Sequence, residues 1–144
     1  MAGDVAWTLH AAATWFMTGL IWFVQVVHYP LMQGVGQPGF SGYCAQHQRR
    51  TTWVVGPAML VELATALWLL VRRTELRSSP AFAASVVLLA IIWISTAAWQ
   101  APRHGRLLQQ GHAAEVPPLV RSNWLRTAAW TARGAIVAAL GVAG

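Results

Sequence analysis

Four apolar stretches govern what this chain can fold into: 5–27, 53–71, 81–98 and 119–142. Each is close to the roughly 20 mainly apolar residues with which a helix spans the hydrocarbon layer of a bilayer. Inside lipid, every backbone N–H and C=O must find its partner within the element, which leaves helices or closed barrels. These runs are too continuous for the alternation of barrel strands. Composition agrees: 56% of the 144 residues are hydrophobic and 10% are charged, where a soluble domain carries about 25% charged residues. The expected architecture is all-α: one integral membrane four-helix up-down-up-down bundle over 1–144, with helix 2 extended beyond the membrane.

The first stretch reads as a mature helix rather than a signal peptide. Only Asp4 precedes it, where a signal peptide has a basic region, and no small-residue cleavage site comes after it. Pro30 is expected to end helix 1 near Tyr29, because proline lacks the N–H that a helix interior uses. Gly34, Gly36, Pro38 and Gly39 make 31–39 a loop. Phe40, Tyr43, His47, Arg50 and Val54 then recur at steps of three and four, the spacing of one helix face. Helix 2 therefore starts outside the membrane and passes Pro57, where a kink is expected. The run 72–77 is a hydrophilic turn closed by Pro80. A second long loop is expected between Pro102 and Pro118, with Leu107 and Leu108 resting on the membrane surface. The pattern holds no second domain and no internal repeat.

In an up-down-up-down bundle, the end of helix 1, start of helix 2, end of helix 3 and start of helix 4 meet on one side. Those are the places where polar residues gather. Gln25 and His28 close the first stretch, and His47, Arg49 and Arg50 lead into the second. Gln100, Arg103 and His104 leave the third, while Asn123 and Arg126 open the fourth. Segments far apart in the chain thus become neighbours, which is the shape of a functional site. The net charge of +6 comes from arginine alone among basic residues. In a chain this apolar it reads as headgroup contact, topology signal and buried pairing, with no nucleic acid as partner. The three arginines of the short 72–77 turn place the termini on the cytoplasmic side of a bacterial-type inner membrane. Cys44 is the single cysteine, so no intramolecular disulfide forms. Of the nine tryptophans, Trp7, Trp53, Trp99 and Trp124 lie near expected helix ends, as interfacial belts do.

His28, His47 and His104 come from three segments and fall on the same side. Three neutral imidazoles with an open fourth position suit a catalytic transition metal. Hydrogen-bonding or acid–base roles stand beside that reading. His10 lies 18 residues before His28, about 27 Å along a helix axis, so the two cannot share a metal. A single axial haem ligand or a histidine bonded to a neighbouring group are the readings open to His10. Glu62 is the one acidic residue inside the four stretches, and its depth matches that of Arg133. A pair between helices 2 and 4 is expected, either architectural or proton-handling. Arg49, Arg50, Arg103 and Arg126 would make one mouth positive and attract a carboxylate, phenolate, quinone or lipid phosphate.

The pattern Gln25-Val-Val-His28-Tyr29-Pro30, then Phe40-x-x-Tyr43-x-x-x-His47-x-x-Arg50, then Asn123-Trp124-x-Arg126-Thr127 resembles small four-helix membrane proteins of the anthrone-oxygenase-like group. The likeness spans nearly the whole chain. It implies four helices and a cofactor-free or metal-assisted oxidation of a flat aromatic substrate, carried over onto His28, His47, Asn123 and Arg126. A looser likeness, over the first half, is to the HemJ-type protoporphyrinogen oxidases. It rests on His10, on Trp15 and Phe16, and on Arg49 eight residues before Pro57 and Met59. It implies haem or porphyrin binding, with His10 as axial ligand.

The expectation is therefore a membrane-embedded oxidoreductase acting on a flat hydrophobic molecule, aromatic, quinone-like or porphyrin. His28 and His47 would bind a metal or move protons, and Arg126 would stabilise developing anionic oxygen. Asn123 and Gln100 would orient the substrate. The alternative is a non-enzymatic membrane protein holding a lipid, quinone or haem. Expected partners are membrane lipid and a hydrophobic small molecule, and the small residues of helix 4 permit close contact with either another helix of the bundle or another copy of the chain.

Overall fold

The computed structural model describes residues 2–110 and 116–143, and among them it is all-helical. Helix α1 (Ala2–Phe23) runs without a break through a π-helical segment, Val24–His28, into α2 (Tyr29–Met32). After a tight turn comes α3 (Gln37–Arg72), then a single turn α4 (Thr74–Arg77). Helix α5 (Pro80–Ser95) passes through a second π-helical segment, Thr96–Gln100, into α6 (Ala101–Gln110), and α7 (Val116–Ala143) closes the chain.

The two π segments share a cause. Each ends two residues before a proline: His28 before Pro30, and Gln100 before Pro102. A proline inside a helix removes one ladder bond and its ring presses on the carbonyl four residues back. Here the ladder slips to five-residue bonds just before the ring. Tyr29 N–H reaches Val24 O, and Ala101 N–H reaches Thr96 O. The wider turn accommodates the proline, and the helix continues. Helix 1 thus does not end near Tyr29 as its proline suggests. It runs to Met32, and the expected 31–39 loop shrinks to a turn held by Gln33 N–H to Pro30 O and Gly34 N–H to Leu31 O. For the same reason the loop expected after Pro102 is mostly helix. Leu107 does not rest on the membrane surface but is fully buried with Tyr29, Met32, Phe40, Cys44, Val116 and Leu119. The side chain of Leu108 lies outside the described residues.

Helix α3 has 36 residues, about 54 Å of rise against a hydrocarbon layer of about 30 Å. It stays helical through Pro57. Helix α5 starts cleanly because Pro80 occupies its first turn and Ser79 Oγ accepts the Phe82 N–H at 3.3 Å.

Helix α1 packs against α3 and α7, α7 against α5, and α6 against α3. All four long helices supply the central cluster: Met17 and Ile21, Met59, Ile92, and Ala129 with Trp130. Where α1 meets α7, a Cβ on Gly134 would lie 3.3 Å from Thr18 Oγ1, so glycine permits this approach.

Polarity is distributed inside out. Buried positions include Thr14, Thr18, Gln25, Glu62, Asn123, Arg126 and Arg133, while Leu60, Val87, Ile94 and Trp53 (78% exposed) point outward. Lipid stabilises that arrangement and water does not. Three helical stretches, Val5–Met32, Pro38–Arg72 and Pro80–Leu107, are long and apolar enough to cross a membrane. Helix α7 is not among them: it carries Arg121, Arg126 and Arg133.

Candidate functional site

Both π segments lie beside the same cavity. Its volume is about 220 Å³. Met17, Leu20, Ile21 and Val24 from helix 1 and Val55 from α3 form its apolar walls, and Tyr29, His47, Gln100, His104 and Arg126 its polar side. The extra residue in a π turn rotates the helix after it relative to the helix before it. Here Tyr29 comes directly after the first π segment. The second ends at Gln100, with His104 one turn further on.

The aromatic groups form an array. The rings of His28 and His47 stack at 4.2 Å, tilted by 22°, and Tyr43 lies parallel to His47 at 6.4 Å. His104 is next, at 5.8 Å from His47, and its Nε2 shares a 3.2 Å hydrogen bond with the Tyr29 hydroxyl. His47 Nδ1 shares one with Thr51 Oγ1 at 3.1 Å. His28, His47 and His104 come together as the sequence led one to expect. Imidazole lone pairs lie in the ring plane, so the stacked rings of His28 and His47 present faces, not nitrogens, to each other. Among the described residues no group of three or more His, Cys, Asp or Glu side chains is placed to hold a metal.

Arg126 is set by a directional relay. Gln25 Nε2 donates to Val120 O at 3.2 Å, and Asn123 Nδ2 donates to Gln25 Oε1 at 2.8 Å. Asn123 Oδ1 in turn accepts from Arg126 Nη1 at 3.2 Å. The guanidinium lies 5.0 Å above the Trp130 ring, a favourable cation–π placement. Arg126 Nε is buried and has no partner.

Gln100 is fixed by similar logic. Its Nε2 donates to Ser122 Oγ at 2.9 Å, because the Ser122 proton already goes to Leu119 O at 3.0 Å. Gln100 Oε1 is left buried and unpartnered. Two residues that line the cavity thus each carry a buried polar atom without a partner, a donor on Arg126 and an acceptor on Gln100.

Several expected site residues take other places. Asn123 does not reach the cavity. It is fully buried behind Arg126, with both amide ends engaged, so it positions the arginine rather than the ligand. His28 lines two adjoining clefts instead of the cavity. Arg49 is exposed, and Arg103 donates to the Pro118 carbonyl, tethering α6 to the start of α7. His10 sits away from this group between the rings of Trp7 and Phe82. Thr65 Oγ1 donates to Val61 O, so it accepts from His10 Nδ1–H, and His10 Nε2 has no partner.

Sequence reasoning misses Tyr29 and Thr51. Pro30 marks Tyr29 as the last residue of its helix, and only the continuation through that proline brings Tyr29 inside. Thr51 is one helical turn after His47, a spacing that suffices to find it.

Glu62 and Arg133 pair as their matched depths required, at 2.9 Å with both side chains fully buried. Glu62 also accepts from Thr14 Oγ1 at 2.9 Å and Trp130 Nε1 at 3.1 Å, and Arg133 Nη1 donates to Ser85 O at 2.7 Å. This network holds the Trp130 ring on which Arg126 rests. No family model, curated protein or solved structure matches this chain.

Proposed function

We propose that the chain is a membrane-embedded oxidoreductase acting on a flat hydrophobic molecule of phenol or quinol type. The observation that carries this reading is that Arg126 and Gln100, which line a mostly apolar cavity, each keep a buried polar atom, Nε and Oε1, without a partner. Leaving such groups buried and unpaired is costly, by about 1–3 kcal/mol each and more for a charged one. A ligand oxygen against Arg126 and a ligand hydroxyl against Gln100 would relieve both.

His47 lines the cavity and also the polar cleft that contains Arg50, Gln46 and Tyr43. It is the group that takes the ligand's hydroxyl proton and passes it outward, with His104 and Tyr29 on the inner side. Arg126 holds the oxygen that becomes anionic. The reaction is a two-electron oxidation: a quinol gives up two protons and two electrons, and dioxygen takes both and leaves as hydrogen peroxide. The proposed bundle is up-down-up-down. Its support is that His28, His47 and His104 gather at one end, while His10 meets Phe82 and Gly141 meets Trp7 at the other. The likeness to the anthrone-oxygenase-like group fits the same reading.

The test is peroxide production from trimethylhydroquinone by the purified chain in lipid nanodiscs, above the protein-free rate. Replacing His47 with alanine is expected to lower that excess about 100-fold. An unchanged rate would sink the catalytic reading. A second reading, a non-enzymatic holder of the same molecule, is favoured by the unmatched pair alone, which needs only a bound ligand. Saturable binding without peroxide would select it.

A further inference from the structure

Two clefts adjoin the cavity, and His47 and Thr51 line all three spaces. Both clefts are bordered by His28 and Arg50, and one adds Tyr43 and Gln46. The other, about 240 Å³, shares the apolar Leu20, Val24 and Val55 with the cavity and adds Phe23 and Val54. Phe23 is 55% exposed and Val54 50% exposed. Both belong to stretches long and apolar enough to cross a membrane, so this groove opens between α1 and α3 toward hydrocarbon.

We propose that the ligand is an amphiphile with a hydrocarbon tail. Its oxygen-bearing ring occupies the cavity at Gln100 and Arg126, and its tail leaves between α1 and α3 along Leu20, Val24, Phe23 and Val54 into the bilayer. This rests on the reading of the cavity given above. It adds a substrate class, a tailed ring of quinol type, and a lateral way in.

Three features argue for this occupant. Gln100 and Arg126 line the cavity and not the groove, so a polar head must enter first. The groove is apolar where it meets lipid, so the trailing part of the ligand must be hydrocarbon. The neighbouring cleft, which adds Tyr43 and Gln46 to the shared His28, His47 and Arg50, gives protons a way out past residues the tail does not cover, so the tail need not clear the groove during reaction.

The experiment uses the full chain in nanodiscs and two photoreactive trimethylbenzoquinones. One carries a diazirine at the end of an alkyl tail, the other an azide on the ring. After photolysis, peptide mapping is expected to place ring label on Gln100, His104 or Arg126, and tail label on 20–24 and 53–55. Tail label spread evenly over outward residues such as Val87 and Ile94, with ring label in the cavity, overturns the tail route and leaves the site standing. Ring label absent from the cavity overturns both. As a second measurement, Val54→Trp, at a half-exposed position, should weaken competition by the tailed quinone about tenfold through lost apolar burial. It should leave tailless trimethylbenzoquinone unaffected; equal effects on the two overturn the proposal.

Discussion

Glu62 and Arg133 meet at 2.9 Å in the centre of the helical assembly, neither side chain reaching the surface. Removing one member leaves an uncompensated buried charge, which costs about 3–5 kcal/mol. Arg133→Met is therefore expected to lower unfolding stability in detergent by that amount. Combining it with Glu62→Gln should recover most of the loss, because the remaining amide is neutral and can still bond to Trp130 and Thr14. A double variant no more stable than the single would show that the pair is not coupled.

Asn123 connects Gln25 to Arg126 through two hydrogen bonds. Asn123→Ala leaves Gln25 Oε1 with only the longer bond from Thr127 Oγ1, 3.4 Å, and frees the guanidinium, a loss of about 1–3 kcal/mol in stability. Binding of trimethylbenzoquinone, monitored by tryptophan fluorescence, is expected to weaken as well. Retained affinity would mean that Arg126 needs no positioning.

His47 and Thr51 share a 3.1 Å hydrogen bond. Thr51→Val keeps the shape and removes the hydroxyl, so the imidazole loses the partner that orients it. Peroxide production from trimethylhydroquinone should fall about tenfold, less than for His47→Ala, since base catalysis as a whole contributes about 10²–10⁴-fold. A rate equal to that of the unaltered chain would exclude Thr51 from the proton step.

Pro30 and Pro102 each come just after a π segment. Replacing Pro30 with alanine restores a backbone donor and lets regular α-helix form, where proline costs about 3 kcal/mol in a helix interior. The variant should be at least as stable as the parent, with Tyr29 rotated and quinone affinity reduced. Stability unchanged together with affinity unchanged would show that the slip does not set the site.

Gly134 faces Thr18 at the contact of α1 with α7. A leucine there forces the helices apart, and overpacking of this kind costs about 1–3 kcal/mol. Thermal unfolding of Gly134→Leu in detergent is the measurement. No loss would mean that the contact is looser than its geometry.

Much of this is legible in the residues. The apolar stretches announce long helices because lipid leaves backbone groups no other partners. The Glu62–Arg133 pair is implied by depth alone, since an unpaired carboxylate at that level is too costly. The gathering of His28, His47 and His104 is implied by alternating helix direction. The prolines mislead, because their usual effect is to end a helix, and a ladder slip that keeps it going leaves no residue signature besides the proline itself. How the histidine rings face one another is not legible, because ring orientation depends on packing, which spacing along the chain does not encode.

The sequence by itself determined where the long helices have their apolar bodies, that His28, His47 and His104 gather, and which buried charges must pair. Those features arise from terms that act on each segment or pair, such as backbone satisfaction, apolar burial and charge desolvation. Tertiary structure alone decided that the rings of His28 and His47 stack, that Asn123 stands behind Arg126, and that Arg126 Nε and Gln100 Oε1 are left buried and unpartnered in residues lining the cavity. Those depend on rotation about helix axes, which the two π segments shift at the site and which only the packed arrangement fixes.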